Sequence, residues 1–256
     1  MAKILLVDIE TAPSKAYIWS LWNETNSMKF VFGDWFMLCW CAKWFDNKKV
    51  LSSALIDNKN YKKDSENDEV LVKKVWHLLD EADIVIGHNV AKFDIPSMNT
   101  RFLMHGLTPP SPYKVVDTLL IARRSFNFLS NKLEDLAVFL GLGHKVDTGG
   151  FQLWKDCLAG DKKAWKHMVT YCKRDVTLLE EVYLKLRPYG IRQPNMAIYE
   201  NRDELLCTTC GSDDIWQRGS YYTNLGKFKR YSCKDCGSWS RARKREDNIV
   251  NTSNTI

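Results

Sequence analysis

The spacing of apolar residues divides the first part of the chain into strands and helices. Short, continuous apolar runs predict buried strands, and longer segments with apolar residues three or four positions apart predict amphipathic helices. Strands are predicted at residues 3–9, 36–45, 50–56, 83–87 and 114–117, and helices at residues 68–81, 95–105, 131–140 and 162–186. Because three strands precede the first long helix and strands alternate with helices after it, we predict a mixed α/β fold.

The last quarter of the chain lacks this pattern. Residues 187–206 contain Pro188, Gly190 and Pro194 and show no periodicity, which is typical of a linker. Two Cys-x-x-Cys-Gly motifs follow, and the final residues are polar. We therefore predict an α/β domain at residues 1–190, a linker at 191–204, a small module at 205–245 and a flexible tail at 246–256.

The composition is that of a soluble protein with a hydrophobic core. Of the 256 residues, 45% are hydrophobic and 27% are charged. No apolar run reaches the ~20 residues that a membrane span needs, and the chain begins with a strand pattern rather than a signal peptide. We therefore expect a cytoplasmic protein with reduced cysteines and no membrane partner.

Acidic residues follow or end several of the predicted elements. Asp8 and Glu10 end the first strand, where their side chains share a face and repel each other unless a cation lies between them. Asp94 follows the strand at 83–87, although such a residue can also be a helix N-cap. Tyr171 and Asp175 lie four positions apart on a helix and so share a face. Each feature alone is also typical of an ordinary surface.

Taken in order, these residues resemble the motifs of the DEDD exonucleases, which are RNase H-like 3′→5′ exonucleases. That family carries Asp-x-Glu in its first strand, then an Asn with Tyr/Phe-Asp, then Tyr-x-x-x-Asp or His-x-x-x-x-Asp. This sequence supplies Asp8/Glu10, Asn89/Phe93/Asp94 and Tyr171/Asp175. Thr170 stands where the histidine subclass has His, so the chain resembles the tyrosine subclass, as in proofreading domains of family A and B polymerases. The resemblance covers residues 1–187 and implies a mixed five-stranded sheet with flanking helices.

The resemblance also implies a two-metal mechanism of phosphodiester hydrolysis. Two Mg²⁺ or Mn²⁺ ions about 3.5–4 Å apart activate water, neutralise the phosphate and stabilise the leaving 3′ oxygen, and carboxylate oxygens suit such hard ions. In the family, Asp8 would bridge both metals. Glu10 and Asp175 would hold the first metal, and Asp94 would act through the second. Tyr171 would orient the attacking water, because a phenol with a pKa near 10 is a poor base at neutral pH.

Several residues near the motifs are candidate nucleic-acid contacts or helix caps. Lys132 begins the helix at 131–140, which Ser130 or Asn131 is expected to cap, and relatives approach the scissile phosphate in this region. Asp117 lies in a strand-then-helix element. Lys132 and Asp117 are equally compatible with cap or surface roles. The candidate contacts from the second motif are Asn89 and Phe93, whereas His88 and His167 match no family position and are assigned structural roles.

The segment after the first motif is rich in aromatic residues. It carries Trp19, Trp22, Phe30 and Phe32. Aromatic side chains stack on unpaired bases, so these residues are candidates for stacking on a strand or wedging it open. Packing in the hydrophobic core is the competing interpretation.

The C-terminal cysteines resemble a zinc ribbon. Cys207, Cys210, Cys233 and Cys236 form two Cys-x-x-Cys-Gly motifs, and four thiolates predict one structural Zn²⁺. The tyrosines and phenylalanine between the motifs are consistent with a β-hairpin. Free thiols or disulfides are the alternatives.

Basic residues are concentrated in the same module. Between residues 218 and 245 nine lysines and arginines stand against one acid, Asp235. Interleaved with aromatic residues, they predict a nucleic-acid-binding surface, with a solvated charged tail as the alternative. The basic residues are Arg218, Lys227, Lys229, Arg230, Lys234, Arg241, Arg243, Lys244 and Arg245.

Three functional hypotheses follow from the sequence. The first is an exonuclease that trims single-stranded or frayed DNA from the 3′ end, and the second is a 3′→5′ exoribonuclease with the same site. The third is a nucleic-acid-binding accessory protein with a vestigial nuclease site. We expect a monomer that binds DNA 3′ ends and works beside replication or repair proteins. A small nuclease with an appended ribbon would suit a bacteriophage, and hence the host cytoplasm.

Overall fold

A mixed five-stranded sheet forms the centre of the α/β part of the protein. The computed structural model describes residues 2–19, 28–200, 202, 204–224 and 226–246. The strands before the cysteine motifs are β1 (Ile4–Thr11), β2 (Lys15–Ala16), β3 (Val31–Gly33), β4 (Met37–Trp44), β5 (Val50–Ala54), β6 (Ile84–Gly87) and β7 (Lys114–Asp117). The sheet order is β5-β4-β1-β6-β7. Strands β1, β6 and β7 run parallel, and β4 and β5 are antiparallel to their neighbours, which confirms the predicted sheet.

Six α-helices lie within the described residues. They are α1 (Glu69–Glu81), α2 (Asp94–Met104), α3 (Thr118–Ser125), α4 (Leu133–Phe139), α5 (Gln152–Leu158) and α6 (Lys162–Leu186). Helix α4 begins later than predicted: Lys132 is its N-cap, and neither Ser130 nor Asn131 caps it with a side chain. The sequence pattern missed α5, because a seven-residue helix is too short to show a clear apolar period.

The core lies on both faces of β1 and β4. Strand β1 is apolar from Ile4 to Val7 because it lies between β4 and β6 and is covered on both sides. Helix α6 packs its buried face, which includes Met168, Cys172 and Val176, against this sheet. A largely buried ion pair from Lys43 of β4 to Glu180 joins α6 to the sheet. The apolar residues of β1 and α6 therefore place these two elements against each other, and they carry the first and third acidic motifs.

The chain divides into two compact units. One unit comprises Lys3–Leu120 and Ser130–Val182 and contains the five-stranded sheet. The other comprises Met1–Ala2, Ile121–Leu129 and Tyr183–Ile256 and contains the cysteine motifs. Within the described residues, no helix has both the length and the apolarity that crossing a bilayer demands.

A three-stranded antiparallel sheet carries the C-terminal motifs. We call residues 204–246, without 225, the cysteine module. Its strands are β8 (Ile215–Thr223), β9 (Gly226–Cys233) and β10 (Trp239–Arg245), in the order β10-β9-β8. The predicted hairpin corresponds to β8 and β9, and β10 adds a third strand after the second pair of cysteines.

Candidate active site

The end of β1 places two carboxylates beside the start of α2. Strand β1 pairs with β6 only as far as Leu6, although it continues to Thr11. Beyond that point the backbone N–H of Ile9 donates to Asp94 Oδ1 at 3.1 Å. Asp94 is the first residue of α2 and not its N-cap. Because β6 no longer pairs with β1 beyond Leu6, Asp94 of the second motif can accept the hydrogen bond from Ile9 that a neighbouring strand would otherwise accept.

The loop that delivers Asp94 is held by Asp117 at the end of β7. The carboxylate of Asp117 accepts hydrogen bonds from the backbone N–H groups of Asn89 at 2.9 Å and Ala91 at 3.2 Å, and from Leu119 at 2.9 Å. Asn89 has a φ of 66°, a conformation that Asn tolerates better than most residues. Asp117 therefore has a positioning role for the second motif, and it also caps the start of α3.

A close approach requires the glycine that precedes this loop. A Cβ at Gly87 would lie 2.4 Å from the Cβ of Val90, which is fully buried. The loop can therefore fold back over the end of β6 only because residue 87 has no side chain. The tight turn brings Asn89 and Phe93 to this edge of the sheet, where the Phe93 ring is 44% exposed.

The third motif completes a carboxylate cluster. Asp8, Glu10 and Asp175 each present an oxygen, and these oxygens lie within 4.8 Å of one another. Asp8 Oδ2 and Asp175 Oδ1 are buried and have no hydrogen-bond partner among the described residues. A buried charged oxygen without a partner is costly unless a cation binds it. The donor set therefore fits hard divalent ions such as Mg²⁺ or Mn²⁺.

Burial and mutual repulsion disfavour the ionised forms of these acids. Burial, with repulsion from Glu10, Asp94 and Asp175, raises the pKa of Asp8 well above its usual range. Burial, followed by Asp175, raises the pKa of Glu10 to about 8. Burial raises the pKa of Asp94 to about 7. A metal-free site therefore holds protons that a divalent cation would displace.

A lysine that sequence reasoning missed lies inside the cluster. Lys145 Nζ donates to Asp175 Oδ2 at 2.5 Å and to the Tyr171 hydroxyl at 3.3 Å, and its side chain is 23% exposed. Its charge lowers the pKa of Asp8, Glu10 and Asp175, but less than burial raises each of them. Lys145 is thus a cation in direct contact with the carboxylate cluster.

Neighbouring helices hold the loop that carries Lys145. Glu134 of α4 accepts the backbone N–H of Lys145 at 2.6 Å. From α6, the Arg174 guanidinium donates to the carbonyl of His144 at 3.2 Å, and His167 Nε2 contacts the carbonyl of Asp147 at 2.7 Å. His167 thus has the structural role assigned to it. The only sequence signal for this loop is its glycines, of which four from 141 to 150 have positive φ.

Other candidate contacts take different positions. The Lys132 side chain is exposed and makes no hydrogen bond or ion pair with the carboxylates in the described part of the chain. His88 contacts the Thr118 hydroxyl at 2.8 Å and the carbonyl of Asn131 at 2.9 Å, which is a structural role. Among the described residues, Lys145 and not Lys132 is therefore the lysine that contacts the carboxylate cluster.

The aromatic segment after β1 is mostly exposed. Trp19 is 87% exposed and Phe32 is 58% exposed, so neither packs in the core, whereas Phe30 is half-buried. The Phe32 ring lies 4.6 Å from the ring of Tyr17. Trp22 lies outside the described residues. Stacking on a strand stays a prediction for Trp19 and Phe32.

Comparison with known proteins identifies the family. Residues 44–187, more than half of the chain, match a family model of the RNase H superfamily. The chain belongs to the RNase H superfamily. The match includes Asp94, Lys145, Tyr171 and Asp175 and begins after β1. Membership in this superfamily supports a nuclease that binds nucleic acid and uses divalent metals.

The superfamily fold is also found in a solved polymerase structure. The family B DNA polymerase from the hyperthermophilic archaeon Pyrobaculum calidifontis is similar, with a TM-score of 0.54 and 14% sequence identity. The similarity covers 73% of this chain and 25% of the polymerase chain, so the chain spans a quarter of that protein. At this identity the likeness shows the fold alone. No curated protein matches the chain.

The raised pKa values predict how pH affects the stability of this superfamily member. Glu10 and Asp94, with pKa values of about 8 and about 7, favour the folded state when protonated. That stability is full below their ordinary pKa values of about 4 and is lost as pH rises through about 7–8. We expect the Tm of metal-free protein to fall from about pH 6 to about pH 8.5, and Mg²⁺ to raise Tm more at the higher pH.

Differential scanning fluorimetry with and without Mg²⁺ measures this effect, with NaCl of equal ionic strength as the control. A Mg²⁺-induced Tm shift that is the same at both pH values would contradict proton–metal competition at the carboxylates.

The cysteine module brings its four sulfurs together. Cys207 Sγ lies 3.6 Å from Cys236 Sγ, and Cys210 Sγ lies 3.7 Å from Cys233 Sγ. Tetrahedral Zn–S bonds of about 2.3 Å place sulfurs about 3.8 Å apart, whereas a disulfide needs about 2.05 Å. The four thiols therefore fit a zinc ion and not a pair of disulfides.

The two motifs fold alike. The N–H of Gly211 donates to the carbonyl of Cys207 at 2.9 Å, and the N–H of Gly237 donates to that of Cys233 at 3.1 Å. Both glycines have a positive φ, 78° and 76°. Each Cys-x-x-Cys-Gly sequence therefore forms the same turn, in which glycine relieves strain and the two cysteines converge.

Proposed function

We propose that this protein is a metal-dependent 3′→5′ exonuclease that removes nucleotides from single-stranded or frayed DNA. The observation that supports the proposal most strongly is the cluster of Asp8, Glu10 and Asp175 oxygens, two of them buried without partners among the described residues. A vestigial site has no reason to keep such a costly arrangement. Membership in the RNase H superfamily, and the order of the motifs, support the same chemistry.

The carboxylates have distinct tasks in this proposal. Asp8, Glu10 and Asp175 would hold the first of two Mg²⁺ or Mn²⁺ ions, and Asp8 would also be a ligand of the second. Asp94, which donates no oxygen to the three-residue cluster, acts through the second ion. The two ions, when bound, neutralise the phosphate and lower the pKa of the attacking water. The protein residues orient the strand around them.

Tyr171 positions the attacking water in the manner of the tyrosine subclass. Burial, followed by repulsion from Asp175, raises the pKa of the Tyr171 phenol above its ordinary value. The hydroxyl therefore stays protonated at neutral pH and cannot act as a base. It accepts a hydrogen bond from Lys145 Nζ at 3.3 Å, and its own proton points to the Asp175 carboxylate. Its role is to orient and not to deprotonate.

The cysteine module holds one structural Zn²⁺ in this proposal. Four thiolates fill a tetrahedral site and leave no position for a substrate or water. Because the module is small, its fold depends on the metal. The zinc therefore has no part in the hydrolysis, and the module forms the zinc ribbon that the sequence predicted.

The polarity of digestion tests the proposed function. Linear DNA with a free 3′ hydroxyl should lose nucleotides in Mg²⁺, and a 5′-labelled strand should give a ladder of shortening products on a gel. A 3′-phosphorylated strand should resist, because the pocket that the resemblance implies binds a terminal nucleotide. Equal digestion of circular and linear single strands would show an endonuclease. Faster release from a matched RNA would favour the exoribonuclease.

A further inference from the structure

One face of the cysteine module combines aromatic and basic side chains. Trp216 of β8 and Trp239 of β10 both pair with Ser232 of β9, so the three side chains form a row on one face of the sheet. Arg218 lies two positions after Trp216 on β8, and Arg230 lies two positions before Ser232 on β9. Side chains two positions apart on a strand share a face. Arg230 in turn pairs with Arg241 of β10.

A bulge extends this face to a further aromatic residue. The register of β8 shifts between Gln217 and Ser220, which places Tyr221 opposite Phe228. Phe228 precedes Arg230 by two positions, so Tyr221 joins the same face. We call this surface the aromatic–arginine face: Trp216, Arg218, Tyr221, Arg230, Trp239 and Arg241.

The guanidinium groups on this face lie over rings. The Arg218 Cζ atom is 5.1 Å from the Trp216 ring centre and 5.5 Å from that of Trp239. The Arg230 Cζ atom is 4.8 Å from the Trp239 ring centre, and Arg241 Cζ is 5.7 Å from that of Tyr221. These are cation–π distances. Flat cations therefore alternate with flat aromatic rings across three strands.

The face is accessible and keeps its positive charge. Trp216, Trp239 and Tyr221 are 48%, 50% and 46% exposed. The carboxylates that form ion pairs in the described part of the module, Asp213 and Asp214, pair with Arg202 and Lys234. No described carboxylate forms an ion pair with Arg218, Arg230 or Arg241. The basic residues of this face therefore lie on paired strands and not in a frayed tail.

We propose that the aromatic–arginine face is a binding site for single-stranded nucleic acid, separate from the carboxylate cluster. Base faces can stack on tryptophans and guanidinium planes only when the strand is unpaired, and the arginines also contact phosphates. Trp216 and Trp239 flank the middle strand, so their backbones are about 9–10 Å apart. The Arg218 Cζ atom lies 5.1 Å from one indole centre and 5.5 Å from the other, so a base that stacks on both rings takes the place of this guanidinium.

The basic residues of the cysteine module do not all lie on the aromatic–arginine face. Lys227 and Lys229 alternate with Phe228 and Arg230 along β9 and therefore lie on the opposite face. Arg243 lies in the irregular stretch of β10 between Arg241 and Arg245. The sequence pattern grouped nine cations between residues 218 and 245, whereas only Arg218, Arg230 and Arg241 of that set belong to the aromatic–arginine face.

This inference rests on the proposed function for its choice of ligand, since tryptophan and arginine are also common in protein interfaces.

Binding of a fluorescent oligothymidylate and of a matched duplex tests the inference. Both are measured by fluorescence anisotropy with the Asp8→Asn protein as the background. Trp216→Ala with Trp239→Ala should weaken single-strand binding about 10- to 100-fold and duplex binding much less, because stacking is lost. Tyr222→Ala removes an exposed aromatic from the opposite face and should change binding by less than about twofold.

Further measurements separate binding from folding. Zinc content near one per chain shows that the tryptophan variant keeps its fold. Arg218→Gln, which removes an exposed cation, should weaken binding and reduce the log–log salt slope by about 0.7. If the tryptophan variant loses zinc, the single-strand binding of the Arg218→Gln variant decides whether the inference holds.

Three outcomes would overturn the inference. These are unchanged single-strand binding in the tryptophan and Arg218→Gln variants, equal weakening by Tyr222→Ala, or no oligonucleotide binding at all, which would indicate a protein partner. Mg²⁺-dependent nucleotide release by wild-type protein judges the proposed function separately. If the wild-type protein releases nucleotides but does not bind single strands through the aromatic–arginine face, only the inference is refuted. If it binds single strands through this face but releases no nucleotides, only the proposed nuclease activity is refuted.

Discussion

Replacing Asp8 with asparagine lowers nucleotide release on the order of 10³-fold or more, because the bridging charge for both metal ions is lost. The substitution keeps the size of the side chain and the strand in which it lies. Gel assays of a 5′-labelled strand at saturating Mg²⁺ measure the rate. Asp80→Asn is the matched control: Asp80 accepts hydrogen bonds from Ser111 outside the cluster, and its loss should leave the rate nearly unchanged.

The same variant has an opposite effect on stability. Burial and three neighbouring carboxylates raise the pKa of Asp8, so a neutral amide relieves repulsion in the metal-free protein. We expect the metal-free Asp8→Asn protein to have a Tm at about pH 8 equal to or above that of wild type. Mg²⁺ should then raise its Tm less than that of wild type. A folded Asp8→Asn protein with near-wild-type turnover would contradict the metal assignment.

The sequence predicted the elements that carry Asp8, Glu10 and Asp175, because the apolar pattern that defines each element is local to it. The apolar run of β1 fixes which face Asp8 and Glu10 share, since side chains alternate along a strand. The apolar period of α6, a helix of 25 residues, fixes Tyr171 and Asp175 on one face, and the bounds of α6 agree with the prediction. The meeting of these elements follows from the superfamily fold, which the order of motifs indicated.

Lys145 was not predictable in the same way. Its partner Asp175 lies 30 positions along the chain, and the loop between has no repeating pattern. The loop conformation depends on glycines with positive φ and on Glu134, Arg174 and His167 from two helices. Sequence reasoning chose Lys132 because it stood at a helix start. A contact set by tertiary structure has no local signature.

The aromatic–arginine face shows a second kind of limit. In β10 arginines occupy alternate positions, so the strand pattern of apolar and polar residues is hidden. In β8 a bulge changes which residues face the same way, and it brings Tyr221 to the face of Trp216. The composition of the sequence predicted a nucleic-acid-binding surface in this module, but only the register separates the two faces of its sheet.

Replacing Lys145 with methionine should lower the rate of nucleotide release about 10- to 1000-fold, because a charge near the reacting phosphate and the Tyr171 hydroxyl is lost. Methionine keeps much of the length and volume of the side chain. In the metal-free site Lys145 holds Asp175 Oδ2 at 2.5 Å. A metal that binds the other oxygen, Asp175 Oδ1, would lie close to this ammonium, and the two positive charges repel each other.

This repulsion distinguishes a catalytic lysine from a structural one. Without Lys145 no neighbouring ammonium repels a metal at Asp175, so the Mg²⁺ concentration for half-maximal activity should fall while kcat also falls. A merely structural loss would weaken metal binding and lower kcat together. Lys145→Arg keeps the charge and should recover part of kcat, less than fully because the planar guanidinium cannot take the geometry of the ammonium.

Lys73→Met provides the matched control for the charge change. Lys73 pairs with Glu69 on the exposed face of α1, and exposed pairs contribute little to stability. Its loss should leave both kcat and the Mg²⁺ dependence unchanged. If Lys145→Met retains wild-type kcat, the ammonium serves only to neutralise the empty carboxylate cluster, and the reaction depends on the metal ligands and Tyr171 alone.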